Sequence, residues 1–139
     1  MKSFPDIRKC LDITKYLNIP YRDFGRDYDG IDCYGLFLLI YREELGISLP
    51  DYLFDKSCMK DASDWYVEDY PRFFKAIGKS EKMQAFDALM FRHKGMDTHV
   101  GIAINETEFL HVSSKRVRKD SIRNEILERK LVDVYRYYN

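Results

Sequence analysis

Asp29-Gly30-Ile31-Asp32-Cys33-Tyr34-Gly35-Leu36 runs without a spacer into Phe37-Leu38-Leu39-Ile40-Tyr41, so a polar, glycine-containing turn passes straight into an apolar run. That run, closed by Glu43-Glu44-Leu45-Gly46, reads as a buried helix with Gly46 as its C-terminal stop. Cys33 then falls in the first turn, where unpaired backbone N–H groups and the helix dipole favour a thiolate over a thiol. A thiolate placed there is a nucleophile in need of a base and an oxyanion site. The plain alternative is a small buried residue that opens a core helix, because cysteine is among the most buried residue types. The choice between them rests downstream, on His99 and His111.

The totals frame that choice. At 139 residues the chain reads as one domain over 1–139, large enough for a core without disulfide or metal support. Its 45% hydrophobic and 33% charged residues are ordinary globular composition, and the formal net charge is zero. Zero net charge argues against general nucleic-acid affinity or capture by an anionic surface. Cys10, Cys33 and Cys58 are odd in number and show no C-x-x-C spacing, so neither a disulfide framework nor a zinc site is expected. Reduced thiols in a protein folded in a cytosol are expected instead. Met1 to Asp6 lacks the apolar region and cleavage site of a secretory signal, and no run reaches membrane-spanning length.

Working outward, Pro5-Asp6 opens a helix candidate in which Ile7, Cys10, Leu11, Thr14 and Leu17 recur at helical spacing until Asn18-Ile19-Pro20. Tyr21 to Gly30 is a loop that delivers the chain to Cys33, and Tyr21 either curls over the site or forms an amphipathic wall. Asp51 to Ser63 is irregular. Asp64 to Ile77, ending at Gly78, is helical in composition with a break or restart at Pro71. Its Trp65, Tyr66, Tyr70, Phe73 and Phe74 suit a satellite core or a substrate groove. From Phe86 the period changes to strands: 88–92, a turn over 93–97, then 98–104, 108–112 and a final 131–137, with a short helix within 121–130. Helices followed by an antiparallel sheet predict an α+β fold.

His99 and His111 fall on neighbouring strands of a predicted hairpin. With a two-residue turn, Ile104 would oppose Thr107 and the two imidazoles would point to opposite faces. With three connecting residues, Ile104 opposes Glu108, His99 opposes Ser113, and His111 becomes a diagonal same-face neighbour of His99. A cysteine nucleophile needs a base and the base an orienter, so the second register is the one the chemistry requires. His93 reads as an exposed turn residue, and Lys115-Arg116-Val117-Arg118-Lys119 as a solvated edge or a contact for phosphate-rich wall polymers.

These motifs together resemble the NlpC family of papain-like cell-wall peptidases. The likeness lies in Tyr16-Leu17, Pro20-Tyr21, Gly25-Arg26, Gly30-x-Asp32-Cys33-x-Gly35-Leu36 and Leu45-Gly46-x-x-Leu49-Pro50. It continues in Asp87-Ala88-Leu89-Met90-Phe91, His99-Val100-Gly101-Ile102 and Phe109-Leu110-His111, and so covers nearly the whole chain in family order. In length the chain is most similar to compact phage tail-associated members. The resemblance implies a papain-like fold with N-terminal helices packed on a C-terminal antiparallel sheet, and the nucleophile at the N-terminus of a buried helix. It implies Cys33 as nucleophile, His99 as base and acid, and His111 as the orienter of His99. Tyr21 and the Cys33 backbone N–H are implied as oxyanion donors, and Asp32 as part of the hold on a stem-peptide amine.

The activity so implied is hydrolysis of amide bonds in peptidoglycan stem peptides, commonly that from γ-D-glutamate to a diamino acid, with no cofactor and no metal. The stem peptide is the expected partner. The setting implied is synthesis in a bacterial cytoplasm and incorporation among phage tail proteins, with action at the cell wall. Two other readings use the same scaffold: a tail-assembly module with weak or no hydrolysis, and another thiol-dependent amidase or acyltransferase. The chain departs from the family at Tyr34, where many members carry serine, and at Phe86, where glycine is usual.

Overall fold

The computed structural model describes residues 11–49, 74–79, 82–93 and 96–138. Helix α1 (Cys33–Leu45) begins where Asp32, in extended conformation (φ −101°, ψ −178°), accepts the Gly35 N–H on its side chain. It ends where Gly46 takes φ +66°, a left-handed turn that glycine adopts without steric cost, and returns its N–H to the Arg42 carbonyl at 3.1 Å. Every residue from Tyr34 to Tyr41 is buried, so the helix is enclosed on all sides.

Ahead of it lies a small two-stranded ribbon, β1 (Arg26–Asp27) with β2 (Gly30–Ile31). After it come β3 (Phe74–Ala76), β4 (Ala88–His93), β5 (Met96–Ala103), β6 (Glu108–Ser113), β7 (Arg116–Ser121), a short helix α2 (Glu125–Lys130) and β8 (Leu131–Tyr137). These six strands form one antiparallel sheet in the order β3-β8-β4-β5-β6-β7. One face presents Ala88, Met90, Val100, Ile102, Leu110 and Val117 to α1. The other carries Leu89, Phe91, Ala103, Phe109, Leu131 and Val134, a second cluster against which Leu127 of α2 packs. The architecture is the expected α+β, papain-like arrangement of helix on antiparallel sheet.

Tyr41 joins helix to sheet. Its ring lies 4.6 Å from that of Phe37, 5.9 Å from Phe74 and edge-on to Phe86 at 6.3 Å, and its O–H donates to the Phe86 carbonyl. Phe86 itself holds φ +76°, the left-handed conformation that explains why glycine is usual there. The ring is buried, and its burial offsets the backbone cost.

Three expectations are revised. The helix candidate from Pro5 lies outside the described residues as far as Cys10, and from Leu11 onward the chain turns instead. Asp12 accepts the Thr14 N–H, and Asn18, at φ +70°, sends its N–H to the Val117 carbonyl at 3.0 Å, so docking on β7 replaces helical continuation. Of the helix read over 64–77, the described part begins at Phe74 and is strand β3, paired with Tyr137, Arg136 and Tyr135 of β8. Tertiary pairing overrides a helical composition there. The turn read over 93–97 is shorter, because β4 runs to His93 and β5 starts at Met96. Trp65, Tyr66, Tyr70, Phe73, Cys10 and Cys58 lie outside the described residues.

Candidate active site

The N-terminus of α1 is built by close approach. A Cβ on Gly35 would stand 2.2 Å from the Gly25 carbonyl oxygen, so only glycine lets the loop lie against the first helical turn. Asp32 Oδ1 accepts both the Gly35 N–H and an Arg26 N–H, each at 2.7 Å, which locks β1 to the helix cap. Burial raises the Asp32 carboxyl above its ordinary range, opposed by the Arg26 charge. Tyr34 is buried, stacked on Phe37 with Arg26 over its ring, and belongs to the core.

Cys33 is partly buried at the head of this helix. Its thiol feels two opposing influences. The Val100 and Tyr34 backbone N–H groups hydrogen-bond the sulfur and favour the thiolate, but burial works against it, reinforced by the Asp32 charge, and pushes the thiol up to about 11. The resting group is therefore a thiol, where the position in the helix alone favours a thiolate.

The Val100 contact follows from strand geometry. The Ala103 N–H reaches back to the Asp87 carbonyl beside β4, while the Ile104 N–H reaches the Glu108 carbonyl beside β6, each at 2.8 Å. Alternation therefore aims the Val100 N–H toward β6. The β5–β6 pairing, however, contains only Ile102↔Leu110 and Ala103↔Phe109. Past it the ladder stops, and the Cys33 sulfur takes the N–H that a β6 carbonyl would otherwise accept. The sulfur thus meets β5 at Val100, the residue that follows His99.

The same register decides the histidines. Ile104 opposes Glu108 across three connecting residues, Asn105, Glu106 and Thr107, which is the odd-length connection that places both imidazoles on one face. His99 Nε2 and His111 Nδ1 lie 2.9 Å apart. Both rings stand on the face of Phe91 and Phe109, with Phe109 4.8 Å from His111 and Phe91 5.7 Å from His99. Alternation puts Val100 and Ile102 on the opposite face, against α1. His111 is almost fully buried, and burial lowers its pKa despite the partly opposing Asp120.

Asp120 was not singled out from sequence. Its Oδ2 lies 2.6 Å from His111 Nε2, and burial of His111 makes this a hydrogen bond to a neutral ring in the resting protein. The signal that would have found it is the register of β6 on β7, His111↔Arg118, which makes Asp120 a diagonal neighbour of His111.

Tyr21 is held by its backbone between two elements: its N–H reaches the Lys115 carbonyl at 2.7 Å, and it bridges Ile31 of β2. The ring is half exposed, and the hydroxyl donates to Asp23 at 3.3 Å. Burial and then the charges of Asp23 and Asp32 raise its pKa, so it stays a protonated donor. Among the described residues no group of three or more His, Cys, Asp or Glu is arranged to hold a metal, and no helix is long and apolar enough to cross a membrane.

A family model described as the NlpC/P60 family matches residues 18–136. Murein DD-endopeptidase MepS/Murein LD-carboxypeptidase of Escherichia coli (strain K12) is 28% identical over 96 residues, 69% of this chain and 43% of that protein. The chain therefore spans less than half the length of the curated relatives it matches. Among solved structures, an NLP/P60 family protein from Staphylococcus aureus subsp. aureus Mu50, described as similar to a lipoprotein, is 26% identical with a TM-score of 0.65 over 88% of this chain and 37% of that one. The NlpC/p60 domain of peptidoglycan hydrolase SagA superposes with a TM-score of 0.55 at 19% identity, over 86% of this chain and 88% of that one, and shares the fold.

Proposed function

Because the chain belongs to the NlpC/P60 family, we propose that it is a cysteine peptidase that hydrolyses an amide bond in peptidoglycan stem peptides, with Cys33, His99 and His111 as its catalytic residues. The observation that carries this reading is the 2.9 Å imidazole pair beside the strand position whose N–H holds the Cys33 sulfur. The curated relative, a murein endopeptidase by name, supports the polymer. Its name joins two peptidase activities, so the γ-D-glutamyl to diamino acid bond is proposed on the family resemblance alone. The phage-tail setting rests likewise on the chain's similarity to compact members.

The mechanism begins from a neutral thiol. His99, bonded to His111 through Nε2, keeps Nδ1 as the nitrogen that takes the Cys33 proton while the sulfur attacks the stem-peptide carbonyl. The oxyanion is met by the Cys33 backbone N–H and by the Tyr21 hydroxyl, released from Asp23. His99 then returns the proton to the leaving amine, and a thioester remains. Water, deprotonated by neutral His99, attacks the thioester. The departing sulfur recovers the proton. Asp32 would meet a substrate amine only while also serving the helix cap and Arg26.

Digestion of purified peptidoglycan, followed by mass analysis of the new ends, tests the reading and identifies the bond. Cys33→Ala should abolish product while the melting temperature stays within a few degrees; full turnover by that variant would refute the assignment.

A further inference from the structure

The hydrogen-bonded series does not stop at the second histidine. From His99 on β5 it steps to His111 on β6 and then to Asp120 on β7, at 2.9 and 2.6 Å. Each step is a same-face diagonal, two residues from the directly opposed partner: Ser113 would oppose His99, and Arg118 opposes His111. We propose that Asp120 is a positioning residue for the peptidase reaction, selecting the tautomer of His111 and, through it, the tautomer in which His99 can act as base. This inference rests on the catalytic reading of Cys33 and His99 above.

The argument is one of donors and acceptors. An ionised carboxylate only accepts, so His111 must carry its proton on Nε2, facing Asp120. A neutral imidazole has one N–H, so His111 Nδ1 is left as an acceptor. His99 must then donate from Nε2, and its Nδ1 is left unprotonated, the form that can take a proton from a thiol. Burial lowers the His111 pKa and so favours the neutral ring on which this logic depends. With the opposite tautomer, His111 would donate to His99 Nε2, and His99 would carry its proton on Nδ1 and be no base toward Cys33. When His99 becomes an imidazolium, its Nε2–H remains bonded to His111, and the carboxylate at the far end stabilises the charge without itself taking a proton.

The groups around His111 are consistent with this selection. From β7 it faces Asp120 and Arg118, whose charge acts against protonation of the ring. From β5 it faces His99, and Phe91 and Phe109 close its sides. The adjoining cavity, about 380 Å³, brings Arg92 and Lys130 to the same neighbourhood, both cations. Asp120 is therefore the carboxylate that meets the buried ring.

The test is Asp120→Asn, whose amide oxygen can accept from His111 Nε2–H in one tautomer and whose N–H can donate to a bare Nε2 in the other, and so removes the selection. In wild type, 15N spectra of histidine-labelled protein should show His99 Nδ1 unprotonated at pH 8. In Asp120→Asn the Nδ1-protonated form of His99 should become populated, kcat should fall about 10- to 100-fold with little change in KM, and Asp120→Glu should recover part of the loss. Wild-type kcat in Asp120→Asn, or His99 protonated at Nδ1 in the wild type, would overturn the proposal. The spectra need no substrate, so a protein inactive on peptidoglycan but with the expected His99 tautomer would refute the functional reading and leave the selection standing. Should Asp120→Asn fail to fold, the wild-type spectrum and Asp120→Glu decide.

Discussion

Asp87 offers the sharpest quantitative test of how the scaffold is held. It sits at the entry to β4, 1% exposed, and Arg136 of β8 grips both its oxygens, Nε to Oδ1 at 2.9 Å and Nη2 to Oδ2 at 2.8 Å. Oδ2 also accepts the Gln84 N–H at 2.8 Å, and the Asp87 carbonyl accepts the Ala103 N–H of β5. Burial raises the Asp87 carboxyl above its ordinary range even with Arg136 opposing, so desolvation outweighs the attraction. Removing one partner leaves the other unpaired in a largely buried position, which costs about 3–5 kcal/mol. With an unfolding entropy of about 0.3 kcal/mol/K for a chain of this size, Asp87→Ala should lower Tm by about 10–17 °C. Because burying both charges was itself costly, Asp87→Leu/Arg136→Met should be more stable than either single change, recovering most of the loss. Thermal and urea unfolding followed by circular dichroism measure all of these. A Tm within about 3 °C of wild type for Asp87→Ala, or strictly additive losses in the pair, would refute the reasoning.

Two further outcomes follow from single groups. A Cys33 thiol near 11 leaves a thiolate fraction at pH 7 roughly 300-fold below that of a free cysteine, of which greater basicity restores about 10-fold, so alkylation should run tens-fold slower than a free thiol and rise about tenfold per pH unit into the alkaline range. Peptide-resolved mass spectrometry with iodoacetamide reads this for Cys33 alone, and rapid alkylation on a plateau below pH 7 would instead show a standing thiolate–imidazolium pair. Ser114 and Lys115 both hold positive φ, +51° and +71°, in the two-residue turn from β6 to β7. Replacing them with Asn-Gly should stabilise the protein by about 1 kcal/mol and raise Tm by about 3–4 °C in the same melts, and a lowered Tm would show that the strain is not there.

That turn also explains what was legible in the sequence. Helix α1 and strands β4, β5, β6 and β8 follow from the sequence because each is a mainly apolar run bounded by turn or polar residues, and their observed bounds differ from the expected ones by at most two residues. β7 has no such run: Val117 is its buried residue amid Arg116, Arg118 and Lys119, and Ser-Lys carries none of the Asn-Gly chemistry that announces a tight hairpin. β3 is only Phe74-Lys75-Ala76, and its identity depends on pairing with β8, which is distant in sequence. The histidine pair was accessible because it depends on the length of one short connection. Asp120 was not, because its approach to His111 depends on the turn the sequence leaves unmarked.

The protonation state of Cys33 divides in the same way, and it bears on the chemistry. The helix terminus is a local feature and argues for a thiolate, whereas the desolvation that outweighs it comes from tertiary packing of Cys33 against the core. In the reaction proposed above, a thiol at rest must lose its proton during attack, so the rate would depend on His99 offering the unprotonated nitrogen at that moment. An arrangement with a preformed thiolate would tolerate disorder in the tautomer of its histidine; one that starts from a thiol would not. The buried sulfur and the His111–Asp120 hydrogen bond at 2.6 Å are thus two sides of one requirement. A variant that lowered the Cys33 pKa, by relieving burial at the head of α1, should therefore depend less on Asp120 than the wild type does.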